Sequence, residues 1–364
     1  MKKIILLVFI GLLFSTSLRA AEASRLEALY NWVIEFFQDD GLSTDPAKAL
    51  KSRQKAAEKG DVKAQVALGQ AYYDGNGVTQ DYAQSLAWFQ KAADKGDAEA
   101  EFWVGRAYDR GEGVPVDKAE AFKWYQKSAA QGFDRAEVNL GVLYEKGEGA
   151  PKNPAKAVEL FRLAAEKGLA VAQTNLGLKY LKGQGLPQDY KKAANWFLRA
   201  AENGDERALY NLGIMYYFGQ GLAENKKEAA KWFLLAAQKG HSASQVILAD
   251  TLIKGEVVPK NPPEAAKWYR LAAENGRADA RLALGDLFFS GQGVGQDRAE
   301  AAKWYRLAAD QGEPNARYKL GLMVAQGEGV EKDPELADQL FRQAAQQGHV
   351  EAQRMVGGRQ KEKS

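Results

Sequence analysis

The sequence predicts an all-α solenoid assembled from 36-residue helix-turn-helix units. Three observations carry this. A glycine recurs every 36 residues without insertion, from Gly60 through Gly96 and Gly132 to Gly348. Between successive glycines lie two stretches whose apolar residues follow the period of an α-helix. Just before the second stretch an Asp or Asn recurs at one phase, from Asp45, Asp81 and Asp117 to Asp333. No single unit can bury its apolar face alone, so neighbours must stack.

Residues 1–20 read as a secretory signal peptide: Lys2 and Lys3, an apolar run from Ile4 to Phe14, then small residues, with cleavage after Ala20 or Ala23. The run is too short to span a bilayer comfortably, the other reading of it being an uncleaved membrane anchor. The chain is therefore expected to be exported, to the periplasm or beyond the cell, with no membrane span in its mature part. Residues 21–60 form an N-terminal cap and a half unit. Within them Leu26, Leu29, Tyr30, Val33, Ile34 and Phe37 share one helical face behind a Ser24-x-x-Glu27 capping box, and the half unit runs from Asp45 to Gly60.

Eight full units occupy residues 61–348. In the fourth, Ala172, Leu176, Gly177 and Tyr180 make the apolar stripe of a first helix, and Gly183-Gln184-Gly185 ends it with residues that tolerate positive φ. Asp189 then caps the second helix, as its short acceptor side chain can satisfy first-turn backbone donors. Pro46, Pro154, Pro262 and Pro334 follow their caps directly, where a missing N–H costs nothing. Gln84, Glu120, Glu228, Glu264 and Glu300 complete the pattern of a capping box. An aromatic pair such as Trp196-Phe197 or Trp304-Tyr305 marks the second helix, with an Ala-Ala pair four residues on. A glycine inside the first helix, such as Gly105, Gly177 or Gly213, predicts a close approach by another helix. Residues 349–364 start one more first helix and are expected to end, from Gly357-Gly358, in a disordered charged tail.

At these residues the chain resembles the Sel-one-like repeat family, relatives of the tetratricopeptide repeat. Ala136, Leu140, Gly141, Tyr144, Gly147, Gly149, Asn153, Ala157 and Gly168 carry its pattern in one unit. The resemblance implies a right-handed α/α superhelix with the first helices lining a concave surface, and a role as an adaptor or scaffold for other proteins. The sixth unit departs from the pattern: Ala249 and Val257 replace two glycines, which puts the geometry of that loop in question.

Composition excludes much chemistry. There is no cysteine, and histidine occurs only as His241 and His349, so thiolate chemistry is absent and the usual general base and metal ligand are nearly so. The two histidines share one phase three units apart, too far for one metal ion, and read as helix-start residues. The Gly-x-Gly loops follow a helix rather than a strand, which argues against phosphate cradles. Asp39-Asp40 is an acidic surface pair of ordinary kind. Residues 1–20 hold Lys2, Lys3, Arg19 and no acid, and removing them leaves 47 basic and 47 acidic side chains, no footprint for nucleic acid. No catalytic residue, metal or cofactor is expected.

The first-helix positions equivalent to Tyr210, Ile214 and Tyr217 vary between units while packing positions repeat. Residues 169–240 are the most apolar there, through Leu178, Leu181, Tyr210, Ile214 and Tyr217, and hold ten basic against six acidic side chains. Such a groove suits a protein or peptide with an acidic flank; the other reading of the tyrosines is packing between helices. The alternative function, binding or processing an envelope glycan, rests on the abundance of Trp and Tyr. It is weakened because most tryptophans recur at one second-helix phase.

Overall fold

The computed structural model describes residues 46–361. The expected signal peptide, the capping helix over residues 24–38, Asp39-Asp40 and the cap Asp45 lie outside them. Every element among the described residues is helical. After α1 (Pro46–Glu58), the first helices are α2 (Val62–Asp74), α4 (Ala98–Arg110), α6 (Asp134–Lys146), α8 (Ala170–Lys182), α10 (Glu206–Phe218), α12 (Ser242–Lys254), α14 (Ala278–Ser290) and α16 (Pro314–Gln326). The second helices are α3 (Tyr82–Ala93), α5 (Lys118–Ala130), α7 (Pro154–Glu166), α9 (Tyr190–Glu202), α11 (Lys226–Gln238), α13 (Pro262–Glu274), α15 (Arg298–Asp310) and α17 (Pro334–Gln346), and α18 (Val350–Lys361) closes the order. Two compact units result: one takes the described residues to Ala136 with Glu148–Ala150, the other Glu137–Gly147 with everything from Pro151 onward.

Each second helix starts where the sequence places it. Asp81, Asp117, Asn153, Asp189, Asn225, Asn261, Asp297 and Asp333 each accept a first-turn backbone N–H, for example Lys192 N–H on Asp189 at 2.9 Å. The capping boxes are only half made. The N–H of each cap is already bound to a first-helix carbonyl nine residues back, as Asp297 to Phe288 at 2.9 Å. The box glutamates therefore turn to lysines one turn on, Glu300 to Lys303 at 3.0 Å and Glu228 to Lys231 at 2.7 Å.

The recurrent mid-helix glycine makes room for a ring rather than for backbone. A Cβ on Gly105 would stand 2.8 Å from the Tyr125 ring, and one on Gly213 only 2.5 Å from the Phe233 ring. Those aromatics are buried, each filling the gap between the paired helices with the small Ala residues around it. In the first unit Phe89 also stacks face to face on Trp103, with centroids 5.2 Å apart.

The second glycine of each Gly-x-Gly loop has a different task. At positive φ, from Gly113 onward it lies against the first residue of the preceding second helix: a Cβ on Gly185 would meet the Pro154 carbonyl oxygen at 2.4 Å, and one on Gly293 that of Pro262 at 2.5 Å, whereas one on Gly77 would meet nothing. The loops thus knit neighbouring repeats. In the sixth unit Val257 stands at this place. The first loop glycine, Gly255, still caps α12 through Thr251, but the N–H of Glu256 makes no bond like that of Gln220 to Met215 or Gln292 to Leu287.

Candidate first-helix recognition surface

The predicted residues occupy the surface of α8 and α10 in different ways. Leu178 and Leu181 are half-buried and pack on the core between α9 and α10, around Phe197 and Leu212. Ile214 is also half-buried. Tyr210 stands against the His241 ring at 4.6 Å and the Phe233 ring at 6.0 Å, so it is built into the joint between repeats. Tyr217 is 40% exposed, and beside it Phe218 is 62% exposed, the two rings meeting edge to face at 5.0 Å. The Lys226 ammonium lies 5.5 Å from the Tyr217 ring, near Glu224 at 3.8 Å.

Phe218 is absent from the sequence-based set, although a signal for it exists. Its phase carries Asp74, Arg110, Lys146, Lys182, Lys254, Ser290 and Gln326 in the other units. A large apolar side chain stands there at the end of a helix, where every counterpart is polar, and most of its surface faces water.

In α12 and α14 the place of Ile214 is taken by Asp250 and Asp286, and both carboxylates are engaged. Asp250 accepts the Tyr269 hydroxyl, and Asp286 accepts that of Tyr305 at 2.5 Å and the Lys319 ammonium at 2.5 Å. Burial first, and then the adjacent carboxylates, push both phenols to higher pKa, so they remain protonated donors. In the first compact unit Tyr73, Arg106 and Glu112 form a closed set: the Tyr73 hydroxyl donates to Glu112 at 3.1 Å, and Arg106 reaches both while covering the Tyr73 ring.

The histidines are helix caps, as their phase implies. Nδ1 of His241 accepts the Ser244 N–H at 3.2 Å, and Nδ1 of His349 accepts that of Ala352 at 3.2 Å. Burial holds the His241 ring below the usual histidine pKa, and the Arg277 charge adds to this against Glu206 and Asp205. Among the described residues no three His, Cys, Asp or Glu side chains converge as a metal site would require, and no helix is long and apolar enough to cross a membrane. Trp232 stacks on Tyr216 at 6.5 Å, and Trp268 and Trp304 pack on the core between α13 and α14.

Consecutive helix pairs of 36-residue period, joined by glycine loops, define a helical-repeat solenoid of the kind that generally serves as a protein-interaction scaffold. The chain belongs to the Sel1 repeat family: the Sel1 repeat matches residues 27–61, 62–97, 98–133, 134–169, 170–205, 206–241, 242–276, 278–313 and 314–349. It is similar to a protective antigen of uropathogenic Escherichia coli strains with an SLR fold, at 36% identity over 85% of this chain and 66% of the antigen, with a TM-score of 0.71. The chain thus spans just under two thirds of that protein. It is also similar to a Sel1 repeat protein of Oxalobacter formigenes, at 28% identity over 85% of this chain and 89% of the other, with a TM-score of 0.62. Comparison with curated proteins gives no match.

Proposed function

We propose that the chain is an exported, non-enzymatic scaffold that holds a protein partner on the first-helix surface around Leu178, Leu181, Ile214, Tyr217 and Phe218. The observation that carries this is the exposed Tyr217-Phe218 pair, in which Phe218 is apolar at a phase that is otherwise polar. Aromatic anchors of this type supply much of the energy of protein interfaces. Lys226 beside Tyr217, within a stretch of ten basic and six acidic residues, favours a partner segment with an apolar side chain and an acidic flank. Tyr210 supports this surface from beneath through His241. Export rests on the signal-like residues 1–20, and similarity to a protein described as a protective antigen accords with a location that antibodies can reach.

Crosslinking in living cells from a photoreactive residue at position 217 tests the reading. It should capture a defined protein; with the photoreactive residue moved to the exposed position 182 of the neighbouring first helix, replacing Tyr217 and Phe218 with Ala should weaken that capture about 30-fold, the equivalent of about 2 kcal/mol. Capture unaffected by the double replacement would overturn the placement of the surface. N-terminal sequencing should find a start at Ala21 or Ser24; a soluble cytoplasmic protein starting at Met1 would overturn export.

A further inference from the structure

The outer side of the second helices carries an ordered apolar feature of its own. Leu235, Leu271 and Leu307 occupy one phase of α11, α13 and α15 and are 45%, 44% and 43% exposed. Four residues earlier stand Lys231, Lys267 and Lys303, and three residues later Gln238, Glu274 and Asp310, all exposed. Spacing of i, i+4 and i+7 puts each trio on one helical face. The result is a central stripe of leucines, with a column of lysines on the N-terminal side, each also bonded to a glutamate one turn earlier, and on the C-terminal side Gln238 followed by the carboxylates of Glu274 and Asp310. The stripe is bounded by Arg199 and Gln343 at the same phase of the neighbouring second helices.

The columns are held in register. Arg281 donates to the Ala273 carbonyl at 3.0 Å and to the Leu307 carbonyl at 3.4 Å, tying the end of α13 to α15, and Gln311 donates to the Gly276 carbonyl at 2.9 Å. Two further cations flank the stripe: Arg270 is turned aside onto the Phe288 ring at 5.7 Å, and Arg306 is exposed beside Leu307. A single exposed leucine is unremarkable on any protein surface, but three aligned on adjacent helices form a patch.

We infer that this stripe is a self-association surface whose occupant is a second copy of the same chain. The two-fold axis runs along the stacking direction of the helices. That operation sets α13 against α13 of the copy with its direction reversed, so Leu271 meets Leu271 while Lys267 meets Glu274; α15 does the same, with Lys303 meeting Asp310. A two-fold axis along the helices would instead set lysine on lysine, so the charge columns select the first arrangement. Three 13-residue helices, each about 19 Å long and spaced about 9 Å apart, offer roughly 500 Å² per copy. This is the low end for a specific interface, so the dimer is weak and concentration-dependent.

Sedimentation velocity of the purified chain from about 1 to about 300 µM reads this directly. The wild type should pass from monomer to dimer in the micromolar range. Replacing Leu271 and Leu307 with Gln should raise the dissociation constant at least about tenfold, and Lys267→Glu with Lys303→Glu should do the same, because acid then faces acid. Adding Glu274→Lys and Asp310→Lys to the latter should restore self-association, while a mixture of this swapped variant with wild type should give no heterodimer. Circular dichroism confirms that each variant keeps its helix content. Tyr217→Ala with Phe218→Ala should dimerise normally, which separates this surface from the partner surface. A wild type monomeric throughout, a dimer indifferent to the leucine and charge changes, or a dimer lost in the Tyr217-Phe218 variant would each overturn the inference.

Discussion

Tyr210 and His241 face each other with ring centroids 4.6 Å apart, and three units later Tyr318 and His349 repeat the contact at 4.4 Å. In both places the imidazole is a helix cap and the tyrosine its lid. His241→Ala should therefore cost about 1 to 2 kcal/mol, the value of a lost N-cap plus some ring contact, whereas His241→Asn should cost less because the amide oxygen can still accept from Ser244. Chemical denaturation of the two variants against wild type checks this ordering.

The same cap should make stability depend on pH. Nδ1 can accept a backbone N–H only while the ring is neutral, and a cation at a helix N-terminus is unfavourable in any case. The unfolded ring titrates near 6.5 and the folded one lower, so the unfolded state takes up its proton first as pH falls. The stabilisation is complete above about pH 6.5 and is lost as pH falls through the folded value. Melting temperatures from about pH 8 to about pH 5.5 should decline more steeply in wild type than in His241→Asn, which leaves His349 and every carboxylate unchanged.

Gly213→Ala should destabilise by about 1 to 3 kcal/mol, because its Cβ would lie 2.5 Å from the buried Phe233 ring and the ring has little space to move. The converse change, Ala249→Gly at the same phase of the sixth unit, should cost about 1 kcal/mol through helix propensity. Parallel denaturation curves for the two variants distinguish a steric cost from a backbone cost.

Tyr305 and Asp286 should behave as one unit. Removing the hydroxyl with Tyr305→Phe should cost about 1 kcal/mol, and Asp286→Leu should strand both the hydroxyl and Lys319 at a cost of about 2 kcal/mol. The double replacement reproduces the Leu178 and Phe197 pairing of the fourth unit, and should cost less than the two single changes added together. A double-mutant cycle by thermal denaturation gives the coupling.

The 36-residue period, the second-helix caps from Asp81 onward and the histidines' place were legible in the sequence, since each depends on chemistry local to a few residues. The capping boxes misled because their reciprocal bond competes with a carbonyl from the other helix of the pair, as at Asp297 and Phe288. Tyr210 shows the same limit at the recognition surface. Its helical phase matches that of Phe102 and Tyr318, yet whether such a ring is free depends on the residue 31 positions on, here His241. Phe218 could have been found by comparing each phase across units rather than by following the apolar stripe of one helix.

The loop glycines set how far a disturbance travels along the array. Where Gly185 or Gly293 lies against the helix before it, melting one repeat exposes the next, and the two fail together. In the sixth unit Val257 takes that glycine's place, and Glu256 forgoes the carbonyl bond of its counterparts. A linear assembly with one loosened coupling unfolds as two blocks, and proteolysis begun at one end should pause at this loop.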